Sequence, residues 1–344
     1  MGLNILSKKR DFIMGLSILW IMLFHVGSYT RIVTPTFFED LGYSGVDIFI
    51  LLSGYGCYYS LKRDSNVVRF LGRRLRRLLP SYLPFIIIYM AWRCLQQRMY
   101  FVEICGNLTM TGWWNGDANQ FNWYVDAIVL FYILAPYLCG IIMKTKRPIV
   151  VSAGLIAIAY VISFSFMHGQ LLIAMCRLPI FILGIFLARY CDADSEPVRI
   201  PEKAIIIIAN ILIPIGILLL YYMVMVQERW DKWHYGLFWY PITLYALGIA
   251  IDLGVIGKLF NKISLLRLLA KLLEEIGKAS FEIFLVHMLV YEIAVAKSEA
   301  LHIHNPYQWI IVYLIGLILG YLYHRLISFI MTNKPVRQMQ INEK

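Results

Sequence analysis

Lys8–Tyr29 reads KKRDFIMGLSILWIMLFHVGSY, a basic triplet followed by an apolar run that begins at Phe12. At about 1.5 Å of rise per residue, a helix over 12–29 is roughly 27 Å long, close to the hydrocarbon thickness of a bilayer. The arrangement imitates a secretory signal, but no small-residue cleavage site follows it. It therefore reads as a retained first transmembrane helix, and it sets the reading of the rest.

Nine further apolar runs follow, over about 43–61, 78–95, 122–142, 149–167, 170–190, 204–226, 235–256, 276–297 and 307–331, each near the length that crosses hydrocarbon. The expected fold is an all-α, polytopic transmembrane bundle of about ten spans. Composition agrees: the 344 residues are 60% hydrophobic and 15% charged, against about 45–50% and 25% in soluble domains. A water-soluble globule is excluded. The spans consume roughly 200 positions, so a single membrane domain over 1–344 is expected, with core motifs at 10–331 and a short cytoplasmic tail at 332–344.

Of the 32 lysines and arginines, this layout puts Arg31, Arg98, Arg229, Lys232 and Lys297 outside and Arg93 and Arg177 within helices, leaving 25 on the side of the N-terminus. The positive-inside rule then places both termini in the cytoplasm of a multi-pass cell (plasma or inner) membrane protein. The net charge of +11 reads as anchoring to membrane lipids, with no nucleic-acid partner. Six scattered cysteines show no paired spacing, and neither a metal nor a disulfide is inferred. Leu265–Glu275, LLRLLAKLLEE, has the leucine spacing and basic face of an amphipathic helix on the inner surface. The longest outer loop, 96–121, carries Trp113 and Trp114, residues that suit either stacking on sugars or anchoring in the membrane interface.

Ionisable groups inside spans cost about 2.5–3.5 kcal/mol each on insertion scales, so each needs a reason. His25 and Asp47 lie about 6 Å below the outer surface on two helices joined by a short hairpin, which makes their pairing geometrically easy. Asp126, Arg177, Glu282 and His287 add charge from three more helices, and the joint pattern points to one cavity in the outer half. A carboxylate beside His25 would fix its tautomer and keep the free nitrogen basic, which is general-base architecture. Arg69, Arg73, Arg74, Arg76 and Arg77 in FLGRRLRRLLP form the densest basic patch, fitting either anionic lipid or a phosphate-rich cytoplasmic donor.

Five stretches, in order, resemble the integral-membrane acyltransferase 3 family. RDFIMGLSILWIMLFH (Arg10–His25) is similar to its first helix, ending in an essential histidine. GYSGVDIFILLSGY (Gly42–Tyr55) is similar to its second-helix signature, and RRLRRLLPSY (Arg73–Tyr82) to its arginine pair before a proline. WYVDAIVLFYILAP (Trp123–Pro136) and GKASFEIFLVH (Gly277–His287) resemble its later helices. The resemblance implies acyl transfer, usually of acetyl from acetyl-coenzyme A or another acyl-coenzyme A, to a hydroxyl of a cell-surface or lipid-linked glycan. No permanently bound cofactor is implied. His25 would activate the hydroxyl with Asp47 orienting it, Arg73, Arg74, Arg76 and Arg77 would hold donor phosphates, and Asp126, Arg177, Glu282, His287, Trp113 and Trp114 are substrate-site candidates. Met14 stands where the family commonly has a basic residue, and Ile128 and Val129 stand where it often has acids; Asp126 or Arg177 are candidate substitutes. A transporter or flippase is the rival class, since intramembrane charge also marks substrate pathways, although no internal repeat supports it.

Overall fold

The computed structural model describes residues 2–30, 41–96, 99–115, 123–166, 170–198, 200–226, 239–303 and 305–332. Among them there are helices and no strand. In chain order the α-helices are α1 (Ile5–Lys8), α2 (Arg10–Thr30), α3 (Ser44–Arg63), α4 (Val67–Gln96), α5 (Phe101–Thr109), α6 (Trp123–Lys144), α7 (Pro148–Phe166), α8 (Gln170–Met175), α9 (Leu178–Cys191), α10 (Glu202–Tyr221), α11 (Trp239–Lys262), α12 (Ser264–Lys278), α13 (Ser280–Ala296) and α14 (Pro306–Thr332). The expected tail at 333–344, the outer-loop residues 116–122, and Arg31, Arg98, Arg229 and Lys232 of the charge count lie outside the described residues.

Among the described residues, six helical stretches are long and apolar enough to cross a membrane: Val67–Gln96, Trp123–Lys144, Leu172–Cys191, Glu202–Tyr221, Pro241–Lys262 and Tyr307–Thr332. Ser264–Lys278 and Ser280–Ala296, bent by 74°, make a seventh if taken as one broken span. By length and composition these helices fit a multi-pass membrane protein.

Three departures from the expected spans have local causes. The helix expected to start at 78 starts at Val67, because the Asn66 side chain accepts the Arg69 amide at 2.9 Å and so supplies an N-cap. The arginine patch is thereby built onto a rigid rod instead of a loop. The single helix expected over 170–190 is two helices that break before Leu178, with Pro179 in the new first turn. The third is the span expected over 276–297, which starts at Ser280 after a 74° bend from α12, where Ala270, Leu273, Ile276 and Gly277 are buried and Leu265, Leu268, Leu269 and Leu272 are exposed.

Glycine pairs set the two tightest crossings. A Cβ on Gly54 of α3 would collide with the Phe181 carbonyl of α9, and one on Gly184 with the Leu51 carbonyl. Gly15 of α2 and Gly277 of α12 stand in the same relation to the Leu273 and Asp11 carbonyls. Small residues let helix backbones approach in this way where side-chain burial alone gives little driving force. The core against α3 includes Phe49, Phe131 and Phe181, all buried.

Candidate active site

At the end of the bundle that carries the arginines, a cavity of about 840 Å³ opens between α2, α3, α4, α6, α13 and α14. Arg10, Arg63, Arg73, Arg74, Arg77 and Lys278 line it, together with Ser53, Tyr124, Tyr132, Glu282 and His324. Arg74 is held in place: its guanidinium donates to the Gly56 carbonyl at 2.9 Å and lies over the rings of Phe70 and Tyr132 at 5.2 and 5.3 Å. Arg73 donates to Asp64 at 2.7 Å. Among the described residues the one acid on the wall, Glu282, accepts from Ser81 Oγ at 2.5 Å and sits 3.0 Å from His324 Nδ1. Asp64, Asp11 and Glu275 pair with Arg73, Arg10 and Lys278 from beside the wall, while Arg63, Arg74 and Arg77 have no carboxylate within ion-pair distance among the described residues, so the charge of the cavity favours an anion. Arg76, expected among the donor contacts, is exposed and does not line this cavity.

At the other end of α2, His25 lines a second pocket of about 400 Å³ with Trp92, Arg93, Gln96, Met288, Tyr291 and Glu292. The two spaces can be followed along α13: its residues up to Glu282 face the large cavity, and those from Met288 face the small one. That leaves an interval of about 9 Å by helical rise. His287, fully buried, fills it. Its Nε2 is 3.2 Å from Nδ1 of His25 and its Nδ1 is 2.9 Å from the Ile283 carbonyl. A carbonyl can only accept, so His287 Nδ1 carries the proton and its Nε2 offers a lone pair. His25 also hydrogen-bonds the Ile21 carbonyl; with one Nδ1 proton shared between that carbonyl and the His287 lone pair, His25 Nε2 would be left as the free base. Tyr291 and Tyr313 fasten the helices around the pair, donating to the Met22 and Leu19 carbonyls at 3.2 and 3.1 Å.

The expected pairing of His25 with Asp47 is corrected by this geometry. Asp47 Oδ2 lies 3.6 Å from Nε of Arg177, and both side chains are fully buried. The Arg177 guanidinium also lies against the rings of Tyr43 and Trp123, at 4.7 and 4.3 Å from their centres. This is a sealed ion pair inside an aromatic cage that ties α3 to the start of α9. Asp126 accepts the Trp113 amide at 2.9 Å. Trp113 itself is 7% exposed and packs against Trp123, so it is neither a free sugar platform nor an interface anchor; Trp114 is half-buried beside it. Neither Asp126 nor Arg177 lines either cavity, which removes Arg177 as a substitute for the basic residue missing at Met14 and Asp126 as a substitute for the acids missing at Ile128 and Val129. The charges expected to share one outer cavity are instead divided between the histidine pair, the Asp47–Arg177 pair, the Asp126 turn and the wall of the large cavity.

The family model described as "Acyltransferase domain", Acyl_transf_3, matches residues 11–334. The chain belongs to the acyltransferase 3 family. Within this family frame, Met14 lines the large cavity and Arg10, one helical turn away on the same face, brings a cation to it. Similar curated proteins include the "Putative membrane-bound transacylase BcsY" of Komagataeibacter xylinus, 26% identical over 187 residues, which are 48% of this chain and 46% of that one. The O-acetyltransferase OatA of Staphylococcus aureus (strain NCTC 8325 / PS 47) is 24% identical over 282 residues, 72% of this chain and 45% of the relative. The chain thus spans somewhat under half the length of the curated relatives it matches. No solved structure matches.

Residues that sequence reasoning missed are Arg10, Arg63, Lys278, Ser53, Tyr124, Tyr132 and His324 in the large cavity and Trp92, Arg93 and Glu292 in the small one. Tyr124 and Tyr132 carried a usable signal, being eight residues apart and so on one helical face. Ser53 hydrogen-bonds with both phenols, beside the close helix approach at Gly54.

Proposed function

We propose that this protein is a membrane O-acyltransferase that takes an acyl group, acetyl being the simplest, from a cytoplasmic acyl-coenzyme A and delivers it to a glycan or lipid-linked sugar hydroxyl. One observation carries the reading: a strongly cationic cavity and a smaller, separate pocket approach each other along α13, with the histidine pair between them. The arginines of the large cavity would hold the donor's phosphates by charge-assisted hydrogen bonds, and the acceptor would enter by the small pocket. The thioester arm rises past Phe281 toward His25.

Transfer then balances as follows. His25 Nε2 takes the proton of the acceptor hydroxyl as its oxygen attacks the thioester carbonyl. The C–O bond forms, the C–S bond breaks, and the imidazolium returns its proton to the departing thiolate. His287 holds His25 in the correct tautomer, the role the sequence assigned to Asp47. In this reading the shorter or less apolar helices cross as well, bringing the six or seven spans to ten, both termini and the arginine cavity are cytoplasmic, and the membrane is the cell (inner) membrane.

The names OatA and BcsY describe an O-acetyltransferase and a membrane-bound transacylase, which supports the reaction class. Nanodisc-embedded protein should consume acetyl-coenzyme A in proportion to acylated acceptor. Movement of acceptor across a sealed membrane with no thioester consumed would establish a transporter instead.

A further inference from the structure

A third space, about 730 Å³, lies between the start of α7 and the segment after α9, lined among others by Lys146, Arg147, Ile149, Val150, Arg189 and Glu196. It shares no lining residue with the two cavities of the candidate active site. Arg189 is 3% exposed. One of its terminal nitrogens donates to the Glu196 carbonyl at 3.0 Å, but among the described residues its buried Nε has no hydrogen-bond partner. The acids nearest in sequence, Asp192 and Asp194, are both engaged by Lys62, and the Glu196 side chain is exposed. A buried guanidinium without a counter-charge is costly, so the pocket is built to receive an anion.

Two further features favour the same anion. Lys146 and Arg147 are exposed at the mouth, and Pro148, Ile149 and Val150, the first turn of the 19-residue α7, line the pocket, which places the positive end of the helix dipole beside it. The rim beyond them is apolar: Ile149 and Val150 are 37% and 65% exposed, on a helix with no charged residue. A soluble phosphate has no use for that rim, whereas a lipid places its acyl chains there.

We propose that this pocket binds a phosphate group, that of an anionic phospholipid in the surrounding leaflet. It lies at the arginine end of the bundle, since α3 and α9 run side by side and Lys62 at the end of α3 reaches Asp192 just after α9. The bound lipid would brace the α7 and α9 ends against each other.

Native mass spectrometry of the full chain released from detergent, with phosphatidylglycerol, phosphatidylcholine of the same chains, or inorganic phosphate added, tests this. Phosphatidylglycerol should be retained at least about tenfold more strongly than phosphatidylcholine. Arg189→Gln should abolish that preference, and Lys146→Gln with Arg147→Gln, both exposed, should weaken retention by roughly tenfold. The exposed double variant decides alone if Arg189→Gln does not fold. Equal retention of the two lipids, or full retention by the double variant, would overturn the site. Displacement of the lipid by an equal concentration of inorganic phosphate would assign the pocket to a soluble anion and overturn the lipid.

Discussion

His287 shows how one buried side chain decides what its neighbour can do. If it fixes the His25 tautomer, His287→Ala should lower kcat by roughly 10²-fold with the donor KM unchanged. His287→Gln, whose amide oxygen can still accept from Nδ1, should restore part of the rate and of the pH profile. A steady-state comparison in which both variants fall equally, or in which only KM moves, would count against the positioning role. Asp47 and Arg177 lead to a different expectation. Removing either partner leaves a buried charge unpaired, at about 3–5 kcal/mol, so Asp47→Asn should reduce the yield and melting temperature of folded protein, while any correctly folded fraction keeps its turnover per molecule. Asp47→Leu combined with Arg177→Met should recover stability. A folded, stable, inactive Asp47→Asn protein would return Asp47 to the catalytic machinery. The sequence made His25 and Asp47 look like partners because helical rise gives depth in the membrane, and the two lie at similar depth. Depth says nothing of azimuth, and α3 turns Asp47 toward α9.

At the scale of elements, α4 converts a basic patch into a directed one. Helical spacing sends Arg73, Arg74 and Arg77 toward the cavity and Arg76 away from it, so Arg10→Gln should raise the donor KM by roughly tenfold and Arg76→Gln should leave it alone. Equal effects in kinetic assays would show that the cluster acts through bulk charge. The α3–α9 pairing is fastened at its end by Asp192, which accepts from Tyr58 at 2.8 Å and from Lys62 and Ser195. Burial alone would push its carboxyl up, but those hydrogen bonds outweigh it and hold it at about 2, below the ordinary 3.8. A depressed carboxyl stabilises the fold above its unfolded pKa and loses that contribution as pH falls through the folded one. The gap in melting temperature between wild type and Asp192→Asn should therefore close between about pH 4 and pH 2. A gap unchanged across that window would contradict the assignment. The hydrophobic runs made most of these helices legible, and Leu265–Glu275 announced the amphipathic α12. The sequence concealed the start of α4, whose cap at Asn66 is a single side chain, and the break at Arg177, which interrupts an otherwise continuous apolar run.

For the whole molecule, the arrangement separates two chemistries that must meet once. A cationic space gathers at one end and a smaller mixed pocket at the other, with the bundle closed between them by an imidazole pair. The cationic end was readable because five arginines lie within nine residues of Arg69–Arg77. The other pocket was not, because Trp92, Arg93 and Glu292 come from helices far apart in sequence and only packing brings them beside His25. The central claim is that His25 is the base at which donor and acceptor meet, and it is tested most directly by acceptor-dependent release of free thiol from acetyl-coenzyme A by nanodisc-embedded wild type and His25→Ala. The account predicts release that rises with acceptor in the wild type and falls by at least about 10²-fold in His25→Ala, with donor binding to the arginine cavity retained. Undiminished thiol release by His25→Ala would contradict it.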